Sequence, residues 1–581
     1  MLPGTSYKIV VQNKDQTEIS FITKWRVGSA RIPLNIDKRF VMLRHSPGFY
    51  SYVVLERLKG WPAFDIQEGR IVFKLDENRF HYMAMSDERR RVMPMPVDRT
   101  TGQVLDYPEA VLLTCPTNSH LKGEAGGVYK VDDKYFYSCE NKDNKVHGWV
   151  SNDPSLGFWM ITPSNEFRTG GPFKQDLTSH VGPTLLNMFI STHYAGEEIA
   201  LKFQTEDYWK KVFGPVYVYL NSDISAKTNS SILWKEAKRK MHAEEASWPY
   251  NFPLSEDFLN HRQRGTLTGQ LLVHDWGYQF WTQTHEHGNF LIKNVVPGIY
   301  GLFAFVPGYI GDYKHTSDII ITPGSNVVAR NVVFKAPRKA PTLWEIGVPD
   351  RMATEFFIPD PSPKIKIHHY PKPVEKFVTN RNHSWENRLK CPVWYRQYGL
   401  WTRYKDYYPR KDLVYTIGKS DYTKDWFFAH VTRHMGGNKY AATAWHVLFD
   451  LKNVTGRANY TLQLALASAT LAELQVCCRK LSKRRFLPRC APKFGIFGLD
   501  SKVRFNHRKS APHFTTGLIG KDNAIARHGI HGLYRLYSID VPGSRLVEGR
   551  NRIILTQTRN QGPFRGVMYD YIRFEGPARK H

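Results

Sequence analysis

The sequence predicts an all-β protein built from several domains, and three observations support this. Its 581 residues exceed what a single hydrophobic core normally organises. It is rich in aromatic residues, with 15 Trp, 31 Tyr and 33 Phe, and aromatic side chains favour the pleated, half-buried surface of a sheet. Short segments of alternating apolar and polar residues recur along most of the chain, separated by clusters of Gly, Pro, Asn and Asp.

Residues 1–245 predict a large antiparallel β-sandwich. Its alternating segments include YKIVVQN, TEISFITKW, RIVFKL, FHYMAM and VYVYL. The stretch SSILWKEAKRKMHAEEASWPY follows at 230–250, rich in charged residues and good helix formers and ended by Pro249. It predicts a solvated helix that bridges to the next domain.

Two further β domains are predicted after this helix. Residues 260–337 predict a small seven-stranded sandwich, in which Pro297 and Gly298 form a turn that leads into the alternating strand IYGLFAF. After a Pro-rich linker, residues 341–581 predict a jelly roll. Residues 477–502 break its pattern with a basic, aperiodic run that holds three of the six cysteines. We interpret this run as a poorly ordered surface insertion, with a nucleic-acid-binding insert as the alternative.

The net charge of +28 indicates an acidic partner, either a nucleic acid, an anionic membrane or a polyanionic polysaccharide. No zinc-finger spacing, RNP-type motif or basic-zipper pattern is present, and no segment is apolar enough to span a membrane. We therefore expect that the partner is neither a nucleic acid nor a membrane, and that the protein is a monomer. The alternative explanation of the charge is a basic surface that binds no polyanion. The cysteines lack metal-ligand spacing, and Cys115 could pair with Cys139 or stay a free thiol.

The region from Asp132 to Ser222 combines cationic and aromatic residues in a way that suits chemistry on an acidic sugar. Such chemistry needs a base, an acid and cations that neutralise the sugar carboxylate. The candidates in this region are Lys134, His147, Arg168, Lys174, His180 and His193, beside the carboxylates Asp132 and Asp133. Hydrolysis would instead favour a carboxylate pair flanking the bond.

Five long phrases in this chain resemble the plant branch of the rhamnogalacturonan lyases, polysaccharide lyase family 4. They are FHYMAMSDERRRVMPMP (80–96), DDKYFYSCENKDNKVHGWVS (132–151), GFWMITPSNEFRTGGPFKQDLTSHVGPT (157–184), FGPVYVYLNS (213–222) and RHGIHGLYRLYSIDVPG (527–543). The resemblance implies a galactose-mutarotase-like catalytic sandwich, a fibronectin-III-like domain and a jelly roll like a carbohydrate-binding module. It also implies β-elimination at the rhamnosyl-(1→4)-galacturonate bonds of rhamnogalacturonan I.

The resemblance further implies roles for individual residues. Lys134 and His193 match the catalytic Lys and His of the family, and we assign Lys134 as base and His193 as acid. The residues implied to bind substrate are Arg89, Arg91, Tyr82, Tyr137, Arg168 and Lys174. Lys174 and His180 are the main rivals for a catalytic role, Arg90 is expected in a solvated turn, and core packing is the alternative role for at least one tyrosine.

The resemblance implies no cofactor for catalysis and leaves a structural calcium open. It also implies an extracellular or cell-wall location. Four N-glycosylation sequons favour the same location, and they lie at Asn229, Asn382, Asn453 and Asn459. The first residues show no apolar signal-peptide core.

The chain departs from the family in three places. The family has further strands ahead of Gly4, residues 125–131 look inserted before the Lys134 motif, and residues 477–502 interrupt a strand region. The alternative function is therefore a catalytically impaired rhamnogalacturonan-binding protein of the same fold.

Overall fold

The computed structural model describes most of the chain, namely residues 6–87, 90–104, 110–117, 130–133, 143–172, 174–268, 272–274, 280–284, 289–306, 308–329, 332, 338–359, 400–480, 512–527, 529 and 531–577. Strands dominate these residues, so the predicted all-β class is confirmed. The described residues form two compact units. One comprises residues up to 332 together with 521–533, and the other comprises 338–359, 401–520 and 534–577. No described helix is long and apolar enough to cross a membrane.

Nine antiparallel strands form the main sheet of the first unit. In spatial order they are Ser6–Gln12, Gln16–Thr23, Asn35–Leu43, Gly48–Arg57, Trp209–Ser222, Ser155–Ile161, Val146–Asn152, Phe80–Ala84 and Arg90–Val92. Four of the five alternating segments quoted above lie in these strands, and RIVFKL lies in Glu68–Lys74 of a smaller sheet.

Smaller antiparallel sheets complete this part of the unit. They consist of Ser179–His180, Thr184–Ser191 and Glu68–Lys74; of Lys130–Asp133, Ala110–Leu113 and Gln103–Val104; and of Leu201–Phe203 with Phe64–Ile66. Phe189 and Ile190 of the first small sheet share one buried apolar cluster with Met83 and Trp149 of the main sheet. The two sheets therefore pack face to face, as a sandwich requires.

The opposite face of the main sheet is covered by the helix Ser231–Ser247. Trp234 lies 5.6 Å from Trp159, ring centroid to ring centroid, and Leu233 and Met241 are buried in the same cluster. The prediction of a solvated helix was wrong for this face, because Trp234, Ala237 and Met241, three and four positions apart, give the helix an apolar stripe that packs on the sheet. Shorter helices are Pro96–Thr100, Tyr404–Tyr407 and Tyr422–Asp425, with 3-10 turns at Glu197–Ile199, Ile224–Lys227, His261–Gln263, Leu400–Arg403 and Gly543–Arg545.

Residues 265–328 form a small sandwich of seven described strands. One sheet holds Leu291–Val295, Gly265–Thr268 and Asn326–Val328; the other holds Leu272–His274, Gly298–Ala304, Tyr313–Lys314 and Ile319–Ile321. The strand Gly298–Ala304 begins at the predicted Pro-Gly turn. Leu267, Phe290, Tyr300 and Leu302 lie in the core between the sheets.

The second unit also consists of two main sheets. The first has Thr342–Gly347, Gly566–Glu575, Asn459–Ala472 and Ile519–Lys521, with His430–Val431 and Arg535–Pro542 paired to it; the second has Val414–Thr416, Thr443–Leu451, Gly549–Gln557, Leu474–Lys480 and Phe514–Thr515. Arg433–Gly436 and Lys439–Ala441 form a separate hairpin. Two packed sheets agree with the predicted jelly roll.

The first residues of the predicted insertion at 477–502 belong to a regular strand. Residues 477–480 continue the strand Leu474–Lys480 and pair with residues 551–554. Residues 481–511 lie outside the described part of the chain. Cys115 and Cys477 are free thiols, and Cys139 lies outside the described residues.

A buried ion pair joins the large sandwich to the start of the small one. Arg264 Nη1 donates to Glu166 Oε1 and Oε2 at 3.0 and 2.9 Å, and both side chains are almost completely buried. The guanidinium also donates to the Leu259 carbonyl at 2.8 Å and lies over the Trp248 ring. Buried charges need such partners, because desolvation of an isolated charge is costly.

Replacing Glu166 by Gln leaves Arg264 buried without its counter-charge. We expect the variant to lose about 3–5 kcal/mol in the free energy of unfolding, measured by denaturant titration. The control is Lys339→Ala, which removes an exposed pair with Asp540 and should change that free energy by at most about 1 kcal/mol. A Glu166→Gln variant as stable as the control would contradict a stabilising role for the buried pair.

The second unit contains two buried carboxyl groups, Glu355 and Asp570. Burial raises the pKa of Glu355 well above its usual range, and the nearby Asp350 and Asp570 raise it further. Burial, followed by Asp350, raises the pKa of Asp570 in the same way. Asp570 Oδ1 accepts hydrogen bonds from the backbone N–H groups of Asp350 and Arg351, at 3.0 and 2.6 Å. These carboxyls therefore favour the protonated form in the folded state.

A carboxyl with a raised pKa in the folded state stabilises the fold fully below its unfolded pKa, and this contribution is lost as pH rises through the folded pKa. Replacing Asp570 by Asn keeps the Oδ1 acceptor and removes the titrating group. We expect the melting temperature of Asp570→Asn relative to wild type to increase from pH 4 towards pH 8, since the ordinary pKa of Asp is about 3.9. Asp450→Asn, at an exposed pair with Arg550, should not reproduce this trend. A difference in melting temperature between Asp570→Asn and wild type that stays constant or falls from pH 4 to pH 8 would contradict the raised pKa of Asp570.

Candidate functional site

The candidate site is built around the strand Thr184–Ser191, which is buried along its whole length. Glu68–Lys74 pairs with one edge of the strand, and Ser179–His180 pairs with the beginning of the other edge. Further along that second edge, the loop before the strand supplies backbone partners. The Leu186 N–H donates to the Thr178 carbonyl, and the Thr169 N–H donates to the Phe189 carbonyl, both at 3.0 Å. His180 and His193 thus flank the two ends of one strand.

His193 lies in a tight turn directly after this strand. Its backbone N–H donates to Ser191 Oγ at 3.2 Å, and the Gly196 N–H closes the turn by donating to the Thr192 carbonyl at 2.7 Å. Tyr194 has a left-handed backbone with φ of +64° and is 1% exposed. The imidazole of His193 is partly exposed, as a group that exchanges protons with a ligand requires.

Arg168 and Lys174 lie in the loop that precedes the strand. Lys174 is 5% exposed, forms an ion pair with Asp176 and donates to the Gln175 carbonyl at 3.4 Å. Arg168 is 6% exposed and donates from Nη2 to the Asn144 carbonyl at 2.6 Å. Burial lowers the pKa of the Arg168 guanidinium, and the carboxylates of Asp176 and Asp143 oppose that shift.

Burial separates both of these cations from a polymer in solution. The placement of Arg168 and Lys174 therefore does not support the predicted contact with substrate. It favours a structural role for both side chains within the loop. The glycines of the motif serve the same purpose. Gly170 has φ of +98°, and a Cβ there would overlap the Lys174 side chain.

His147 is also a structural residue of this region. Its ring nitrogens lie 2.7 Å from Asn144 Oδ1 and 2.7 Å from the Leu186 carbonyl. Burial lowers the pKa of His147 to about 3, although the bond to Leu186 opposes the shift. A neutral ring donates only one of these two hydrogen bonds, and its contact with the Leu186 carbonyl ties the main sheet to the buried strand.

A small pocket, with room for about one water molecule, lies at the other end of the strand. Its lining residues are Met93, Pro94, Arg99, Asp132, Trp149, Ser179, His180, Val181 and Gly182. Arg99 forms a buried ion pair with Asp132, and its Nη1 also donates to the Asp132 carbonyl at 3.2 Å. His180 is exposed at this pocket. The structure thus brings Asp132 and His180 together, beside the guanidinium of Arg99 and the indole of Trp149, at a pocket too small for a sugar ring.

Tyr82 and Arg90 lie on the other face of the main sheet. Tyr82 packs against the cluster under the helix Ser231–Ser247, whereas its neighbour Met83 packs toward the buried strand. Burial raises the pKa of the Tyr82 hydroxyl, and Arg90 and Ser231 oppose the shift. Arg90 donates to Ser231 Oγ at 3.1 Å. This placement favours core packing for Tyr82, and Arg90 is in a strand rather than the predicted solvated turn.

Several predicted site residues lie outside the described part of the chain, namely Lys134, Tyr137 and Arg89. Arg91 contributes its backbone to the strand Arg90–Val92, where it pairs with Met83. Among the described residues, no three His, Cys, Asp or Glu side chains are grouped to hold a metal ion.

Three residues at these sites were not predicted from the sequence. Asp176 could have been found, because a carboxylate two positions from a lysine in a Gly-rich motif suggests a paired cation. Arg99 follows the motif at 80–96 but carries no distinctive spacing. Asn523, which contacts the His193 turn, has no local signal, since it lies 330 residues away.

Family models match three parts of the chain. The model of the rhamnogalacturonate lyase family matches residues 1–125. Domain II of polysaccharide lyase family 4 matches residues 260–329, and domain III of that family, described as CBM-like, matches residues 342–574.

Relatives from bacteria and fungi align over most of the chain. A rhamnogalacturonate lyase of Dickeya dadantii is 24% identical over 584 residues, covering 97% of this chain and 82% of its own. Rhamnogalacturonate lyase B of Emericella nidulans is 23% identical, covering 88% and 77%. A probable rhamnogalacturonate lyase B of Aspergillus terreus is 24% identical, covering 81% and 70%. Because these relatives are bacterial and fungal, they do not test the predicted resemblance to the plant branch of the family.

A methyl group at Gly170 is expected to displace Lys174 from its buried pairing with Asp176. Gly60 provides a matched control, because it has φ of +80° and no atom within 4 Å of the added Cβ. Gly60→Ala should cost about 1–2 kcal/mol for the left-handed backbone, and Gly170→Ala should cost about 1–3 kcal/mol more because of the steric overlap. Equal losses in the free energy of unfolding would show that Lys174 is not held against Gly170.

Proposed function

We propose that this polysaccharide lyase, which carries the domains of polysaccharide lyase family 4, cleaves the backbone of rhamnogalacturonan I. The bonds cleaved are the rhamnosyl-(1→4)-galacturonate bonds, and the product is a 4,5-unsaturated galacturonosyl end. The observation that carries the proposal is the alignment with the Dickeya dadantii lyase, which spans 97% of this chain rather than one domain.

Lys134 and His193 supply the proton transfers in this proposal. Lys134 removes the proton from C5 of galacturonate, and the electron pair of that bond forms the C4–C5 double bond. The bond from C4 to the glycosidic oxygen breaks, and this oxygen leaves with the rhamnosyl residue and takes a proton from His193. Arg89 and Arg91 neutralise the galacturonate carboxylate, which makes the neighbouring C5–H acidic. No cofactor takes part in these steps.

The electrostatics of the chain suit this substrate. Rhamnogalacturonan I is a polyanion, and a net charge of +28 attracts polyanions over long distances. We place this activity outside the cell, on pectin of the cell wall.

Incubation of the full chain with rhamnogalacturonan I should produce a rise in ultraviolet absorbance from the new conjugated double bond. Lys134→Ala and His193→Ala should each reduce the rate by at least about 100-fold, the usual contribution of a positioned acid or base. The matched controls are Lys227→Ala and His242→Ala, whose side chains are 51% and 72% exposed; both should keep wild-type rates.

Binding of rhamnogalacturonan I without any absorbance rise would reject the lyase and establish the alternative, a catalytically impaired binding protein of the same fold. If activity is present and either Lys134→Ala or His193→Ala retains it, the assignment of that residue is wrong. Circular dichroism of each variant should match wild type, so that loss of activity is not loss of fold.

A further inference from the structure

A segment far along the chain contacts the His193 turn. Residues 521–533 belong to the same compact unit as His193, and Asp522, Ala524 and Ile525 are buried there. Lys521 forms an ion pair with Glu197 at 2.6 Å, just after the turn. The segment is thus packed against the turn through both buried and exposed residues.

Two glycines permit this close approach. Gly196 has φ of +95°, and a Cβ there would lie 2.6 Å from the Asp522 nitrogen. A Cβ on Gly529 would lie 3.1 Å from Ala524 and 3.2 Å from the Tyr194 ring. A side chain at Gly196 would overlap the backbone of the other segment, so the contact there requires glycine, whereas at Gly529 the Tyr194 ring would have to shift by only a few tenths of an ångström.

The side-chain amide of Asn523 bridges two groups of the turn. Its Oδ1 accepts a hydrogen bond from the Tyr194 backbone N–H at 2.7 Å. A backbone N–H can only donate, so the atom that receives it must be the oxygen of the amide. The orientation of the amide is thereby fixed, and its Nδ2 is the atom that lies 3.4 Å from His193 Nδ1.

The fixed amide in turn determines the state of the His193 ring. An NH₂ group can only donate, so Nδ1 must present its lone pair. A neutral imidazole has one proton, and that proton must then be on Nε2. The imidazolium form would place a second N–H on Nδ1, directly against the NH₂ group of Asn523.

We infer that Asn523 is a positioning residue that holds His193 as the neutral tautomer protonated on Nε2. In this state His193 donates a hydrogen bond through Nε2–H and cannot accept a proton at that atom. The inference rests on the proposed function for its catalytic meaning: Nε2–H of His193 donates a hydrogen bond and then its proton to the departing glycosidic oxygen, the imidazolate left behind takes a proton from water at Nε2, and the base is a different residue. The tautomer itself is a property of the fold and does not depend on any activity.

Replacing Asn523 by Asp tests the inference, because this change retains one hydrogen bond and reverses the other. The carboxylate still accepts from the Tyr194 N–H, but it can only accept from His193, so it requires a proton on Nδ1. Long-range ¹H–¹⁵N NMR spectra of the full chain labelled with ring-¹⁵N histidine, recorded at alkaline pH, report the tautomer directly. His193→Gln identifies the His193 signals among those of the 23 histidines.

We expect the Nε2–H tautomer in wild type and the Nδ1–H tautomer in Asn523→Asp. If the lyase activity is present, kcat of Asn523→Asp should fall by about tenfold or more, as expected for a wrong tautomer, with little change in KM. Asn523→Ala, which removes both hydrogen bonds, should give a mixture of tautomers and an intermediate kcat.

The control is Lys521→Ala, which removes the exposed pair with Glu197 on the same segment. It should keep the wild-type tautomer and kcat, since exposed pairs contribute little. An Nδ1–H tautomer in wild type, or a tautomer unchanged in Asn523→Asp, would overturn the inference. A chain without lyase activity that shows both expected tautomers would reject the proposed function and leave the positioning role intact.

Discussion

The site depends on one constraint, the need of the buried strand Thr184–Ser191 for hydrogen-bond partners along both edges. Buried peptide groups without partners are costly, so nearly all of them are paired in folded proteins. Glu68–Lys74 satisfies one edge. The other edge is satisfied by Ser179–His180, by Thr178 and Thr169, and by the ring of His147. The chemical type of these partners matters less than their position, because each fixes the loop that carries the cations or the turn that carries His193.

Burial then decides the role of the charged residues in the loop. A lysine or arginine inside a protein requires an anion or carbonyl oxygens to replace its hydration shell. Lys174 has Asp176, and Arg168 has the Asn144 carbonyl together with the field of two carboxylates. The same rule applies to Arg99 with Asp132 and to Arg264 with Glu166. These cations stabilise the sandwich from within, so the positive charge available to a polyanion must come from other residues.

The imidazole of His193 is controlled by a residue from another part of the sequence. Asn523 accepts a hydrogen bond from the Tyr194 N–H, and this bond fixes the orientation of its side-chain amide. The Nδ2 of that amide then lies beside His193 Nδ1. A single amide thus links backbone geometry to the protonation of a side chain. Because the two glycines allow direct packing of the segments, the arrangement needs no additional bridging group. The two ends of the buried strand also differ in character: one has a partly exposed imidazole held by an amide, and the other has a pocket with a paired guanidinium.

The sequence by itself determined the all-β class, the positions of many strands and the helix after residue 230, since period-2 alternation and helix-forming composition are local properties. It also located the loop at 157–184 and the histidine at 193. Alternation showed that Tyr82 and Met83 point to opposite faces, but not which face holds the buried strand, because either side of a sheet can be covered. Only the tertiary structure decided that Tyr82 lies under the helix, that Lys174 and Arg168 are buried, and that Asn523 reaches His193. Each of these depends on packing between segments distant in the chain, for which no local pattern exists.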